Sequence, residues 1–129
     1  NDFKILSYPN EFSQVIINLL SNSKDALIET KPDVKLIEII IHSDKNRGYI
    51  EVYDNGGGIK EDVIDRIFEP YFTTKHKSAG TGIGLYMSGQ IIEKQMGGEI
   101  EAQNCSYYFK NIGFFKKCTK MKITLPLGG

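Results

Sequence analysis

The stretch DNGGGI, residues 54–59, is the most informative part of this sequence. It follows YIEVY (49–53), an alternating apolar and polar run of the kind that forms a half-buried strand. Consecutive glycines cost backbone entropy, up to roughly 1 kcal/mol each relative to alanine in regular structure. A hairpin turn needs only one or two of them. The run therefore predicts either a molecule that comes close to this backbone or a turn that no side chain permits.

The overall composition fits one ordinary globular domain. The chain has 129 residues, 40% hydrophobic and 25% charged, with a net charge of zero. This size suits a single core, and the neutral balance gives no argument for a nucleic-acid surface. Cys105 and Cys118 lack the spacing of a thiolate metal site. A disulfide between them is possible in principle, but a domain of this size does not need one. Because no apolar run reaches 18 residues, we expect that nothing spans a membrane. No membrane contact is expected for this domain.

Periodicity and turn signals predict an α/β fold. Strands are predicted at 3–7, 34–43, 49–54, 99–104 and 120–127, and helices at 11–29, 61–68 and 83–96. Residues 69–82 have no period and are predicted to form a long loop, and Gly97 and Gly98 end the last helix. The economical architecture is an α+β two-layer sandwich: a mixed sheet of about five strands with three helices on one face.

The first predicted helix carries a narrow polar stripe. Its members fall within about 60° of one another at helical spacing and are Asn18, Asn22, Asp25 and Glu29. A merely solvated side would favour lysine and glutamate, since asparagine is a poorer helix former. Asparagine carbonyl oxygens are hard, neutral ligands that suit Mg²⁺ held together with substrate phosphates. The stripe therefore indicates a metal–nucleotide site, and the alternative is a plain solvated face.

A second glycine segment, SAGTGIGL (78–85), leads into the last predicted helix. Outward-pointing backbone N–H groups and the start of a helix both favour phosphate there. The spacing is GxGxG, which is neither a P-loop nor a Rossmann fingerprint. The loop before it is basic around Lys75, as a lid over phosphates would be. The alternative is a flexible surface loop.

Taken in order, four motifs resemble the ATP-binding catalytic domain of sensor histidine kinases, in the superfamily that includes the gyrase B, Hsp90 and MutL ATPase domains. The motifs are NLLSNSKDAL (18–27), DNGGGI (54–59), IFEPYFTTK (67–75) and GTGIGL (80–85). The resemblance covers residues 8–127. It implies a Bergerat-type fold with a mobile ATP lid, and ATP and Mg²⁺ as ligands.

The resemblance assigns roles to matching residues. Asn22 is the expected Mg²⁺ ligand, and Asn18 is expected to support the phosphates. Asp54 is expected to accept a hydrogen bond from the adenine amine, where guanine would present a repelling carbonyl. Gly56 and Gly58 would let the base approach the backbone.

Further nucleotide-binding residues are implied around these. They are Asp25, Ile59, Phe72, Lys75, Gly80, Thr81, Gly82, Gly84, Leu85 and Thr124. Thr124 matches a strand threonine that supports the aspartate, and Phe68 and Phe72 match an aromatic segment that anchors the lid.

Position 18 separates the branches of this superfamily. The clamps that hydrolyse ATP carry glutamate four residues before the Mg²⁺-binding asparagine, where this chain has Asn18. An amide cannot take a proton from water at neutral pH, so the site is expected to hold ATP for transfer. The open alternatives are an ATP-driven clamp, a serine kinase of the anti-sigma type or a related relay kinase, and a module that only binds nucleotide.

Neither histidine fits a phosphoacceptor site. The family's phosphoacceptor is followed by an acidic residue, whereas Ser43 follows His42 and Lys77 follows His76. The chain, which begins at Asn1, is therefore expected to be a single catalytic domain without its dimerisation domain. The expected partners are that helical domain of the same kinase and, downstream, a response regulator. The expected location is the cytoplasm, whether or not the parent is membrane-anchored.

The stretch CSYYFKNIGFFKKCTK (105–120) departs from the family pattern, which often has a tight turn there. We expect the last two strands to extend into a longer hairpin with its tip near residues 111–113. The alternative is a docking surface for the rest of the kinase or for a partner.

Overall fold

The computed structural model describes residues 9–70 and 84–127. Its main elements are α1 (Pro9–Thr30), β1 (Ile37–Ser43), β2 (Arg47–Asp54), α2 (Gly84–Gln90), β3 (Glu99–Phe109) and β4 (Gly113–Pro126). A π-helical turn, Ile91–Gln95, continues α2. No helix within residues 9–70 and 84–127 has the length and hydrophobicity that a membrane-spanning segment needs.

The four described strands form one sheet in the order β1-β2-β4-β3. Each neighbouring pair is antiparallel. The prediction of a mixed sheet is therefore wrong for these strands, because two hairpins supply them and the connection through α2 returns β3 to the edge beside β4. The fifth predicted strand, 3–7, lies outside the described residues.

Both helical segments pack on one face of the sheet, which confirms the two-layer α+β architecture. Alternation along β2 and β4 places Val52 and Ile123 on this face, where they are fully buried. Val15 and Leu19 of α1 and Ile92 of the π-helical turn close the same cluster. Each such buried side chain contributes about 1.5–3 kcal/mol through removal of apolar surface from water. The cluster fixes how α1 lies over the sheet and therefore where its polar stripe points.

The predicted helix at 61–68 is wrong: the segment forms turns around a 3₁₀ turn, Ile64–Arg66. Arg66 N–H bonds to the Val63 carbonyl, which is the i→i+3 spacing of a 3₁₀ turn. Pro70 limits extension, because the residue before a proline avoids helical geometry. The run supplies one core residue, Ile67, before it ends.

The expected extension of β3 and β4 into a long hairpin is confirmed. Its turn is residues 110–112, and the outer part of the hairpin lies over the sheet face opposite α1, where Phe109, Cys118 and Tyr53 form a second buried cluster. The rings of Tyr53 and Tyr107 stack with centroids 3.8 Å apart. The Tyr107 hydroxyl also donates to a Glu38 carboxylate oxygen at 2.6 Å. The hairpin is therefore packed against β1 and β2.

Candidate functional site

A cavity of about 1130 Å³ opens between α1 and the sheet end that carries DNGGGI. Nine of the predicted site residues line it: Asn18, Asn22, Asp25, Asp54, Gly56, Gly58, Ile59, Gly84 and Leu85. The cavity lies on the helix-covered face because the apolar remainder of α1 packs inward. The two motifs that the sequence separates by some thirty residues thus meet in one space.

Asn18 ties α1 to the start of α2. Its Nδ2 donates to the Gly84 carbonyl at 3.3 Å and to Ser88 Oγ at 3.2 Å, and its Oδ1 accepts from Gln14 Nε2 at 3.1 Å. A carbonyl can only accept a hydrogen bond, so the contact with Gly84 fixes the orientation of the amide. Asn18 therefore positions the helical end that contains Gly84 and Leu85.

Asn22 and Asp25 lie on the same side of α1 and face the cavity. Among the described residues, no group of three or more histidine, cysteine, aspartate or glutamate side chains could hold a metal ion. A hard cation here would have to take few protein oxygens and complete its shell with water and ligand phosphates. That is the ordinary coordination of Mg²⁺, so an amide and a carboxylate one turn apart fit it.

Asp54 sits at the closed end of the cavity with 2% of its surface exposed. Its Oδ1 accepts the Gly56 backbone N–H at 2.9 Å. Burial raises the pKa of the Asp54 carboxyl, while the Gly56 N–H and, more distantly, the Ser23 hydroxyl oppose that rise. Ser23 Oγ is itself buried and makes no hydrogen bond of ordinary length within the described residues. A carboxylate held in this way keeps acceptor capacity for a donor on a ligand.

The glycine run is required by the protein's own backbone and neighbours. A Cβ on Gly56 would lie 2.9 Å from Asp54 Oδ1 and 3.0 Å from Ala26 Cβ. Gly57 and Gly58 have φ of +95° and +79°, a region that side chains rarely adopt. The run is thus a turn that no side chain permits, and it also lines the cavity.

Three strands contribute one row of side chains at this end of the sheet. Asp54 on β2 is paired with Thr119 on β4, which is paired with Asn104 on β3. Thr119 and Asn104 both line the cavity. Directly paired residues share a face, so all three side chains point to the α1 side.

The expectation that Thr124 supports Asp54 is wrong. Thr124 pairs with Tyr49, at the other end of β2, whereas Thr119 is the threonine opposite Asp54. The antiparallel register places the middle of β4, and not its end, beside the aspartate. Counting back from Pro126 could have found Thr119, but only once the register was known.

Three residues that the sequence does not predict also line the cavity: Asn104, Lys116 and Lys117. Lys116 and Lys117 lie in the hairpin beside a register shift between Cys105 and Tyr107. No motif signals these positions, because the β3–β4 pairing alone brings them to the cavity.

Five predicted residues lie outside the described part of the chain: Phe72, Lys75, Gly80, Thr81 and Gly82. Their roles stay predictions. Phe68 is described and packs against the main core, beside Gly89 of α2.

Comparison with known proteins gives one consistent family. Residues 7–129 match the family described as histidine kinase-, DNA gyrase B-, and HSP90-like ATPase. The chain is 42% identical over 101 residues to the two-component sensor PprA of Pseudomonas aeruginosa, covering 74% of this chain and 10% of that protein. It is 38% identical over 127 residues to the sensor kinase CckA of Brucella abortus, covering 90% of this chain and 12% of that one. The chain thus spans a small part of these relatives.

Solved structures agree with the sequence matches. The catalytic domain of histidine kinase ThkA superposes with a TM-score of 0.71 at 29% identity, covering 94% of this chain and 70% of that one. The mycobacterial sensor histidine kinase MprB gives 0.76 at 18% identity, covering 95% and 76%, which bears on the fold alone. The resemblance read from the four motifs is confirmed: this nucleotide-binding chain belongs to the histidine kinase-, DNA gyrase B- and HSP90-like ATPase family, and it is a catalytic domain of the sensor histidine kinase type.

Proposed function

We propose that this chain binds Mg²⁺-ATP and transfers its γ-phosphoryl group to a histidine on a separate helical domain of the same kinase. The observation that carries the proposal is a single cavity with Asn22 and Asp25 on one wall and buried Asp54 at its closed end. One end offers oxygen ligands for a cation and its phosphates, and the other offers an acceptor for a base.

Asp54 selects the base. Its carboxylate accepts a hydrogen bond from the exocyclic amine of adenine, and a guanine carbonyl at that point would meet it with repulsion. The Gly56 N–H already bound to Oδ1 orients the carboxylate before any ligand arrives. Gly56, Gly58 and Ile59 form the neighbouring wall of the base site.

Asn22 holds the cation that accompanies the phosphates, and Asp25 supports it from the next turn of α1. A bound Mg²⁺ neutralises charge that develops on the phosphoryl group during transfer. Asn18 contributes by holding the start of α2 at the far side of the cavity. Lys75, Gly80, Thr81 and Gly82 are proposed to contact the phosphates from the lid.

The same arrangement favours transfer over hydrolysis. Phosphoryl transfer needs positioning and charge neutralisation more than covalent help from the protein. Asn18, at the place of the hydrolytic base in the clamps, cannot deprotonate water, and its amide is engaged with Gly84 and Ser88. Water attack therefore lacks a base at this position.

The acceptor histidine comes from outside this domain. Neither His42 nor His76 has the sequence context of a phosphoacceptor. We propose that the chain is a single catalytic domain whose partners are the dimerisation domain of its own kinase and a response regulator downstream, in the cytoplasm.

The test is transfer of label from γ-³²P-ATP to the separately supplied dimerisation domain of the parent kinase. We expect an acid-labile phosphohistidine on that domain and little free phosphate. Asn22→Ala should slow transfer at least about tenfold because the phosphates lose their positioned cation. Lys24→Ala, an exposed change on the same helix away from the cavity, should leave the rate unchanged.

Two results would contradict the proposal. The first is ATP binding without any transfer to the matched domain. The second is hydrolysis to free phosphate at a rate that exceeds transfer, which would assign the chain to the clamps.

A further inference from the structure

We propose that Asn104 is a positioning residue that holds the glycine loop, residues 54–59, in the shape the base site requires. The inference rests on the proposed function, since it concerns how that site is kept ready for adenine. Asn104 belongs to β3, 45 residues from the loop end that it contacts.

The Asn104 side chain makes a two-way hydrogen bond with one backbone unit. Its Oδ1 accepts the Ile59 N–H at 2.7 Å, and its Nδ2 donates to the Ile59 carbonyl. Its Nδ2 also lies 3.3 Å from Glu61 Oε1. The amide thus pairs with Ile59 as a neighbouring strand would, using both its acceptor and its donor.

The close approach of Asn104 depends on a missing side chain. A Cβ on Gly58 would lie 3.0 Å from Asn104 Oδ1, so the amide would have to move by a few tenths of an ångström to make room for it. Next along the loop, the Gly57 N–H donates to the Lys117 carbonyl at 3.2 Å. The base of the β3–β4 hairpin therefore holds the later half of the loop at two points.

The first half of the loop, residues 54–56, is held by the segment that precedes β1 and by Asp54 itself. Asn55 Oδ1 accepts the Leu36 N–H at 2.9 Å, and its Nδ2 donates to the Val34 carbonyl at 2.7 Å. Asp54 fixes the Gly56 N–H. The Ile59 side chain packs against the main core, but among the described residues Asn104 is the one whose side chain hydrogen-bonds to the Ile59 backbone.

A loop with two glycines at positive φ has many alternative conformations in reach. Ordering it at the moment of binding weakens affinity, and a loop that is ordered beforehand avoids that loss. The loop forms the base site and not the phosphate end of the cavity. Loss of Asn104 should therefore weaken the binding of every adenine nucleotide by the same factor.

The test is calorimetric titration of ATP and ADP, with Mg²⁺, into wild type, Asn104→Ala and Asn104→Asp. We expect Asn104→Ala to weaken both nucleotides about tenfold, as expected for two lost hydrogen bonds. Asn104→Asp keeps the oxygen that accepts the Ile59 N–H, but it replaces the donor Nδ2 with a second oxygen that faces the Ile59 carbonyl and Glu61. This variant should therefore bind both nucleotides more weakly than Asn104→Ala does. Glu61→Gln in that background should recover part of the loss.

The matched control is Gln103→Ala, an exposed neighbour on β3 whose side chain points to the opposite face. It should leave both affinities unchanged. A second readout is amide hydrogen exchange at Ile59, which should accelerate in Asn104→Ala while amides of the central strands keep their protection.

The outcomes separate this inference from the proposed function. Unchanged affinities and unchanged Ile59 exchange in Asn104→Ala would overturn the inference alone. If Asn104→Ala lost far more affinity for ATP than for ADP, the inference would also be overturned, because the defect would then lie at the phosphate end of the site. A wild type that binds neither nucleotide would refute the proposed function, and the exchange rate at Ile59 would still test the anchor.

Discussion

At the scale of single residues, Asp54 shows a conflict between stability and function. The carboxyl is nearly inaccessible, and burial raises its pKa above the ordinary value of 3.8. The folded protein therefore binds a proton more readily at this site than the unfolded chain does. Keeping the group ionised at neutral pH costs folding free energy, and recognition of a donor on the ligand is what that cost supports.

We predict that Asp54→Asn stabilises the protein at neutral pH while weakening ATP binding. Because the folded-state pKa is raised, wild-type stability falls as pH rises from about 3.8 through that raised pKa. The variant has no carboxyl to ionise, so its unfolding free energy should exceed that of wild type above this window. Urea denaturation at pH 4 and at pH 8 measures the difference. A difference that does not grow with pH would contradict the assignment of burial as the cause.

At the scale of elements, the two faces of the sheet have different chemistry. The face under α1 is apolar except at the cavity, where Asp54, Thr119 and Asn104 form one row. The opposite face carries a polar group around Glu51, which accepts from the Tyr53 hydroxyl at 3.1 Å and lies 3.6 Å from Lys120 Nζ. Alternation along each strand separates the two sets.

Glu51 yields a prediction about acid stability. Burial raises the pKa of this carboxyl, but the hydrogen bond from Tyr53 and the charges of Lys120 and His42 outweigh it, so the net pKa is lowered from 4.5. Its stabilising contribution is therefore present above about pH 4.5 and is lost as pH falls through the lower folded-state pKa.

Accordingly, Glu51→Ala should reduce the unfolding free energy by about 1–3 kcal/mol at pH 7, since it leaves the buried Tyr53 hydroxyl without its acceptor and Lys120 without its carboxylate partner. The difference in unfolding free energy between wild type and Glu51→Ala should become smaller in acid. Glu101→Ala, an exposed change on β3, serves as the control and should have an effect within about 0.5 kcal/mol. An equal difference in unfolding free energy at pH 7 and in strong acid would show that the ionised Glu51 carboxylate does not stabilise the fold through these partners.

The helix α1 offers a matched pair for the core. Leu19 is fully buried in the main cluster, whereas Ile17, two residues earlier, is 57% exposed. We expect Leu19→Ala to lower the unfolding free energy by about 2–5 kcal/mol through lost burial and a residual cavity. Ile17→Ala should change it by less than about 0.5 kcal/mol. Similar effects in thermal or urea unfolding would mean that α1 is rotated relative to this structure.

At the scale of the whole molecule, the order of the motifs along the chain was the main basis for predicting the site. NLLSN and DNGGGI placed a polar stripe and a glycine turn on two elements, and the fold brings both to one cavity. The local sequence pattern does not reveal which residues pair across neighbouring strands. Thr124 was therefore predicted to support Asp54, whereas the threonine opposite Asp54 is Thr119. Asn104 escaped notice for the same reason, because only the β3–β4 pairing brings it to Ile59.

The helix predicted at 61–68 failed for a different reason. Its apolar spacing is real, and Ile67 does reach the core. The run is too short to nucleate a stable helix by itself, and Pro70 prevents its extension. The long hairpin was predicted correctly from the length of residues 105–120, but the way it folds onto β1 and β2 depends on contacts such as Tyr107 with Glu38.

The most direct test of the account is calorimetric titration of Mg²⁺-ATP and Mg²⁺-GTP into wild type and Asp54→Ala. We predict that wild type binds ATP and not GTP, and that the variant binds ATP at least about tenfold more weakly, as expected for loss of a hydrogen bond to a charged group. Equal binding of the two nucleotides by wild type, or an unchanged ATP affinity in Asp54→Ala, would contradict the claim that DNGGGI forms the adenine site.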